Sequence, residues 1–332
     1  MRFPRWTLSA CLVLACGAAV AGELTWQELV RRPELWPAQC TAKETMQFQR
    51  GATIRAGEKL SIIEIEADQV IVATADGRMN FAAGPGDVDV LEVARAEYAK
   101  LTPQQQALTM AQVLERKDLW PHRLKVRPAY ELSDGRRIRS GDFVYFMDVK
   151  NGELVVAPDT FDLHFEIPPA DTDLFVQARE YLAKGSPGRL VQELQGKLVD
   201  GQTGQPKPLD PDSPPRYFVL YAAARWCPYT QAFTPQLLKV YQEMKPKHPD
   251  FEVIYLPGEK SDAELKQYAK EMAFPWPVVE YSQKEKMAVI ATLIGRSSTP
   301  EIEVVDRYGN LILDNYTLDR EQVLAKFQEL LD

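Results

Sequence analysis

"RYFVLYAAARWCPYTQAF", residues 216–233, decides how the rest of the chain is read. Tyr217 to Ala224 form an unbroken apolar run, which suits a central strand buried on both faces. A helix is expected from Pro228, because Phe233, Leu237, Tyr241 and Met244 recur on one face. Cys227 therefore stands where a strand hands over to a helix. A thiolate there is stabilised by unpaired backbone N–H groups and the helix dipole, so Cys227 is expected to be more acidic than a free thiol. Arg225 adds positive charge only if it points toward the sulfur; the alternative is an exposed, salt-screened arginine. Three residues after the cysteine comes Thr230, so the motif carries one thiol.

Working outward, "GKLVDGQTGQPKPLDPDSPP" reads as a first strand and a Gly- and Pro-rich loop. "FEVIYL" follows as a strand, "SDAELKQYAKEM" as a capped helix, "PVVEYS" as a short extended piece and "KEKMAVIATLIG" as a helix. "EIEVVD" and "NLILDN" flank Tyr308-Gly309 as a hairpin before a last helix, "DREQVLAKFQELL". This order suits an α/β sandwich over residues 186–332.

Trp226-Cys227-Pro228 at the junction, Pro235 inside the helix and Ser298-Thr299-Pro300 before a strand carry a resemblance. From about residue 196 to 332 the chain resembles a thioredoxin-fold domain of the nucleoredoxin and tryparedoxin type. The resemblance implies that Cys227 attacks a disulfide in a protein, peptide or small molecule and that the Thr230 hydroxyl bonds the thiolate. It places Trp226, Pro228, Tyr229, Thr299 and Pro300 along the bound chain, with Pro300 in a cis-proline loop. It implies no cofactor. Two positions depart from thioredoxins themselves. Thr230 replaces the resolving cysteine, so release of a mixed disulfide requires an external thiol or another cysteine. Tyr221 stands where thioredoxins carry a buried acid, although an aromatic there is typical of the nucleoredoxin type.

The first half contains a gapless internal repeat at a shift of 84. "LTWQELVRRPELWP" from Leu24 returns as "LTMAQVLERKDLWP" from Leu108, and Gly51, Ile54, Arg55 and Gly57 meet Gly135, Ile138, Arg139 and Gly141. The modules are placed at residues 22–103 and 104–185. Each opens with a short helix, continues in alternating runs such as "KLSIIEIEA" and "QVIVATA", and closes with an amphipathic helix. A five-strand small barrel is expected, and the pattern resembles bacterial Src-homology-3-like (SH3-like) barrels. The fold class is thus α+β multidomain: two tandem small β-barrels with flanking helices, then a thioredoxin-like sandwich. Trp36 and Trp120 read as packing anchors. Asp87/Asp89 and Asp171/Asp173 read as helix N-caps. Cys40 corresponds to Leu124 and reads as a core residue. The modules either bind a peptide or peptidoglycan-like partner at the cell envelope or act as spacers.

Residues 1–21 read as an export signal: Arg2 and Arg5, an apolar run from Trp6 to Val20, and Ala19-Val20-Ala21 before Gly22. The expected location is periplasmic or secreted. "LSAC" and "VLAC" resemble lipoprotein boxes, so lipid anchoring through Cys16 is the alternative. Cleavage after Ala21 removes Cys11 and Cys16 and leaves Cys40 and Cys227, enough for one disulfide at most. A formal charge of −8 without a basic block argues against a nucleic-acid partner. His122, His164 and His248 are scattered, so no metal site is expected, and His122 reads as a turn residue. Three functions remain open: monothiol disulfide exchange, a redox-inactive peptide-binding scaffold with a structural Cys227, and a Cys40–Cys227 disulfide that is either lasting or transient.

Overall fold

A computed structural model of the chain describes residues 24–48, 52–74, 77, 79–159, 163–210, 212–295 and 298–332. The expected export signal, with Cys11 and Cys16, and the repeat position Gly51 lie outside these residues.

The 84-residue repeat carries over element by element. Thr25 and Glu28 form a capping box that starts α1 (Trp26–Arg31), satisfying backbone donors the first turn would otherwise leave free. Then come β1 (Gln39–Thr41), β2 (Met46–Gln47), β3 (Thr53–Ile54), β4 (Lys59–Ile65), β5 (Val70–Thr74), β6 (Asn80–Ala83) and α2 (Val90–Tyr98). After α3 (Pro103–Ala107) the order repeats: α4 (Met110–Glu115), β7 (Arg123–Lys125), β8 (Tyr130–Glu131), β9 (Arg137–Ile138), β10 (Phe143–Lys150), β11 (Glu153–Ala157), β12 (Phe165–Ile167) and α5 (Leu174–Lys184).

Each module has six described strands in two sheets, where five in one barrel were expected. Four form an antiparallel sheet, ordered β1-β4-β5-β6 and β12-β11-β10-β7, and the other two pair separately. Gly57 and Gly141, at φ +83° and +87°, turn the chain between ladder and sheet in a conformation that favours glycine. The long strand of each sheet bulges at the same repeat position, between Ile62 and Glu64 and between Phe146 and Asp148.

Trp36 and Trp120 are buried, and their indole N–H groups donate to the carbonyls of Leu29 (2.6 Å) and Val113 (2.8 Å), fastening each first helix. The expected N-caps take a different form. Asp89 and Asp173 hold the N-cap positions of α2 and α5 but make no side-chain cap. Their carboxylates instead accept the backbone N–H groups of Thr41 and Lys125, binding each last helix to the first strand. Asp87 accepts from Gly84 N, and Asp171 accepts from the Tyr130 hydroxyl.

The third unit begins with α6 (Arg189–Leu194) and β13 (Leu198–Asp200). It continues with β14 (Tyr217–Ala223), α7 (Pro228–Met244), β15 (Phe251–Pro257), α8 (Asp262–Glu271), β16 (Pro277–Val279), α9 (Ala288–Leu293), β17 (Glu301–Asp306), β18 (Leu311–Asp314) and α10 (Arg320–Leu331). The sheet order is β13-β16-β15-β14-β17-β18, with β14 parallel to β15 and antiparallel to β17. Alternate residues of β14 feed two cores. Val219 and Tyr221 face α7, α8 and α10, while Phe218 and Leu220 face α6 and α9. Helix α9 is shorter than the segment read as helical, because Met287 is not helical (φ −119°, ψ 78°) and a 3-10 turn precedes it.

Candidate functional site

Helix α7 begins at Pro228, where a missing N–H costs nothing, and Cys227 is its N-cap in an extended conformation. The Cys227 backbone N–H donates to the Ala224 carbonyl at 3.0 Å, which fixes the turn out of β14. Its thiol donates to the Thr299 carbonyl at 3.0 Å, and the Thr299-Pro300 peptide bond is cis. The loop before β17 thus lies directly against the sulfur. Cys227 is 6% exposed, but its neighbours stand clear: Trp226 is 55% exposed and Tyr229 71%. The indole N–H of Trp226 donates to the Gly258 carbonyl. Pro228 is exposed, Thr299 half-buried and Pro300 buried. The fold brings these six residues to one end of the sheet, where the interior strand β14 finishes and its neighbour β17 begins.

Thr230 does not join them. It is fully buried on the core face of α7 with Phe233, Thr234 and Leu237, one helical stripe at i, i+3, i+4 and i+7. Its hydroxyl has no hydrogen-bond partner among the described residues, so the expected bond to the sulfur is absent. The sulfur's own bond goes to Thr299. Below lies a network around Thr234, whose hydroxyl donates to the Thr230 carbonyl at 2.8 Å. With its one proton used there, it accepts from the Tyr221 and Tyr268 hydroxyls at 2.7 and 2.8 Å. Burial pushes the Tyr221 hydroxyl far above the ordinary tyrosine range.

Arg225 turns away from the sulfur and grips Glu271 with two N–H groups at 2.8 and 3.0 Å, so the exposed alternative holds. The loop is instead fixed from inside by Glu259, a residue that no motif marks. Glu259 is buried, and one carboxylate oxygen accepts the Arg225 backbone N–H and the Tyr255 hydroxyl. Burial raises its carboxyl above the usual range. The only sequence signal was its place directly after Gly258 at the end of β15. Beside Thr299 opens a cavity of about 170 Å³ lined by Leu256, Met287, Ile290 and Ser298.

Cys40 takes no part. It is 2% exposed in the first module's core, and burial, with the Asp89 charge, pushes its thiol up to about 12. Both cysteines are free, so the lasting Cys40–Cys227 disulfide is not formed. Its position explains why: Cys40 faces inward from β1, among Leu60 and Val72. His122 stands in a bend just ahead of β7, as expected of a turn residue, and is buried, with Nε2 3.6 Å from a Glu193 carboxylate oxygen.

A strand–Cys–helix junction facing a Thr-Pro loop, in a sheet with helices on both faces, defines a thioredoxin-like domain. Residues 215–311 match the family model described as thioredoxin-like, and the C-terminal part of the chain is such a domain. Nucleoredoxin of Mus musculus is 28% identical over 163 residues, 49% of this chain and 32% of the relative. Probable nucleoredoxin 1 of Arabidopsis thaliana is 32% identical over 96 residues, 29% of this chain and 16% of the relative. The chain thus spans a third or less of the length of these relatives. Among solved structures, tryparedoxin II from C. fasciculata is 24% identical, with a TM-score of 0.35 over 42% of this chain and 89% of that one.

Proposed function

We propose that the chain is an exported, monothiol thiol–disulfide exchange protein in which Cys227 is the nucleophile. The observation that carries this reading is the Cys227 sulfur at the start of α7, 3.0 Å from the Thr299 carbonyl and beside exposed Trp226 and Tyr229. In the first step the thiol gives its proton to solvent. The thiolate then attacks one sulfur of a protein, peptide or low-molecular-weight disulfide; a Cys227–sulfur bond forms, the substrate S–S bond breaks, and the other sulfur leaves as a thiolate. With Thr230 in place of a second cysteine, a low-molecular-weight thiol regenerates the protein by attacking the substrate sulfur and releasing Cys227 as thiolate. Trp226, Pro228, Tyr229, Thr299 and Pro300 line the substrate's path.

Residues 1–21 direct export to the periplasm or beyond, with Cys16 lipidation the variant form. The two β modules act as SH3-like units that hold the domain at the cell envelope. N-terminal sequencing of the exported chain tests the first statement: it should begin at Gly22 and not at Cys16.

A second reading, a peptide-binding scaffold without turnover, is favoured by one observation: the sulfur is held as a thiol against Thr299 and Thr230 leaves it unassisted. Trapping of covalent partners in the exporting cell separates the two. Exchange yields mixed disulfides that disappear in Cys227→Ser, whereas a scaffold keeps its partners, non-covalently, in that variant.

A further inference from the structure

The repeat shift of 84 pairs more than matching elements; it pairs two sockets, each filled from the next unit along the chain. In the first module, Arg127 of the second module is buried with its guanidinium 6.0 Å from the Trp36 ring. It donates to the carbonyls of Trp36 (3.4 Å), Pro37 (3.3 Å) and bulge residue Ile62 (3.5 Å). In the second module the places of Trp36 and Ile62 are taken by Trp120 and Phe146. There Arg189, the first residue of α6, lies 5.2 Å from the Trp120 ring and donates to the carbonyls of Phe146 and Met147, the latter at 3.0 Å. Removing a guanidinium from water is costly, and at Arg189 burial pulls its pKa down to about 10. Carbonyls freed by a bulge and an aromatic face supply compensating partners.

The second socket reaches the thiol site. One turn after Arg189 on α6, Glu193 is fully buried, and its two carboxylate oxygens accept the Val289 and Ile290 N–H groups at 2.7 and 2.8 Å. Those amides begin α9; its Ile290 and the N-cap Met287 just before it wall the cavity beside Thr299. From the other side Ala288 packs on Met147 and Ala157 of the second module's sheet, and His122 lies against Glu193. We infer that Arg189 and Glu193 are positioning residues for substrate: the docked second module, acting through α6, sets the α9 wall along which a peptide disulfide lies when it meets Cys227. This rests on the exchange reading of Cys227, and the test keeps the two apart.

The probe is a short peptide whose cysteine is disulfide-linked to thionitrobenzoate. Attack by Cys227 on the peptide sulfur releases the coloured thiolate once, with iodoacetamide as the small-reagent control. In Glu193→Gln, and separately in Arg189→Met, amide exchange at Val289 and Ile290 should accelerate by about tenfold or more. The half-saturating peptide concentration should rise about fivefold or more, while the maximal release rate and the iodoacetamide rate stay within about twofold. The double variant should add little to the larger single effect. Unchanged exchange in Arg189→Met, or a peptide dependence equal to wild type despite faster exchange, overturns the inference. So does a parallel fall in the iodoacetamide rate. If wild type releases no thiolate, the exchange reading fails, and the substrate role of Arg189 and Glu193 falls with it; the exchange rates then report only on the socket.

Discussion

Cys40 and Cys227 are both free, yet only one is framed by exposed side chains. In a chain beginning at Gly22, iodoacetamide should label Cys227 alone in the folded state and both cysteines in denaturant. Mass spectrometry after digestion reads this directly, and native labelling of Cys40 would contradict its place in the core. Glu303 offers a second test at this scale. Burial, then the charges of Glu301 and Asp314, push its carboxyl up to about 8 from an ordinary 4.5. The folded state therefore holds a proton that the unfolded chain has lost, so this stability is complete below about pH 4.5 and disappears as pH rises through about 8. Glu303→Gln should gain on wild type in urea midpoint from pH 5 to pH 9; a constant difference would contradict the assignment. Cys227 was legible in sequence because a strand–helix junction is a local pattern, and Trp226 and Thr299-Pro300 were legible through the family resemblance their short motifs carry. Thr230's inward orientation was implicit in the same periodicity, since it stands three residues before Phe233 and seven before Leu237 on the buried face of α7, but the N-terminal position beside Cys227 drew attention to its hydroxyl instead. Glu259's role was not legible, because it depends on the Arg225 loop 34 residues upstream.

Equal repeats should respond equally. Asp89 and Asp173 each bind a first-strand N–H from the start of the closing helix. Asp89→Ala and Asp173→Ala should each cost about 1–3 kcal/mol by urea unfolding, the range for a hydrogen bond to a charged group or an orphaned partner. A change near zero in either would mean that the tie carries no stability. The periodicity revealed the repeat, its opening and closing helices and most strands, because alternation and turn residues act locally. It did not show that the first strand outcompetes the helix for the carboxylates, since Thr41 and Asp89 meet only after the sheet forms. Nor did it show where α9 begins, which is fixed by Glu193, nearly a hundred residues upstream.

At the scale of the molecule, the two arginine sockets join three cores that the sequence presents as separate. Arg127→Met should orphan the Trp36, Pro37 and Ile62 carbonyls and loosen the first module from the second. New protease cleavage between residues 99 and 109 should follow, with the second module and thioredoxin-like domain still together; an unchanged digest would contradict this. The sequence hid these contacts because they lie where the repeat fails: Arg127 faces Lys43 at the shift of 84, and Arg189 faces Gln105. Disulfide exchange by this chain depends on a reactive sulfur at the head of α7. Incubating the chain from Gly22 with a disulfide-linked peptide, quenching with acid and mapping the adduct tests that directly. One peptide should be bound through Cys227, removed by a low-molecular-weight thiol and absent in Cys227→Ser. An unmodified protein, or a peptide attached at Cys40, would contradict it.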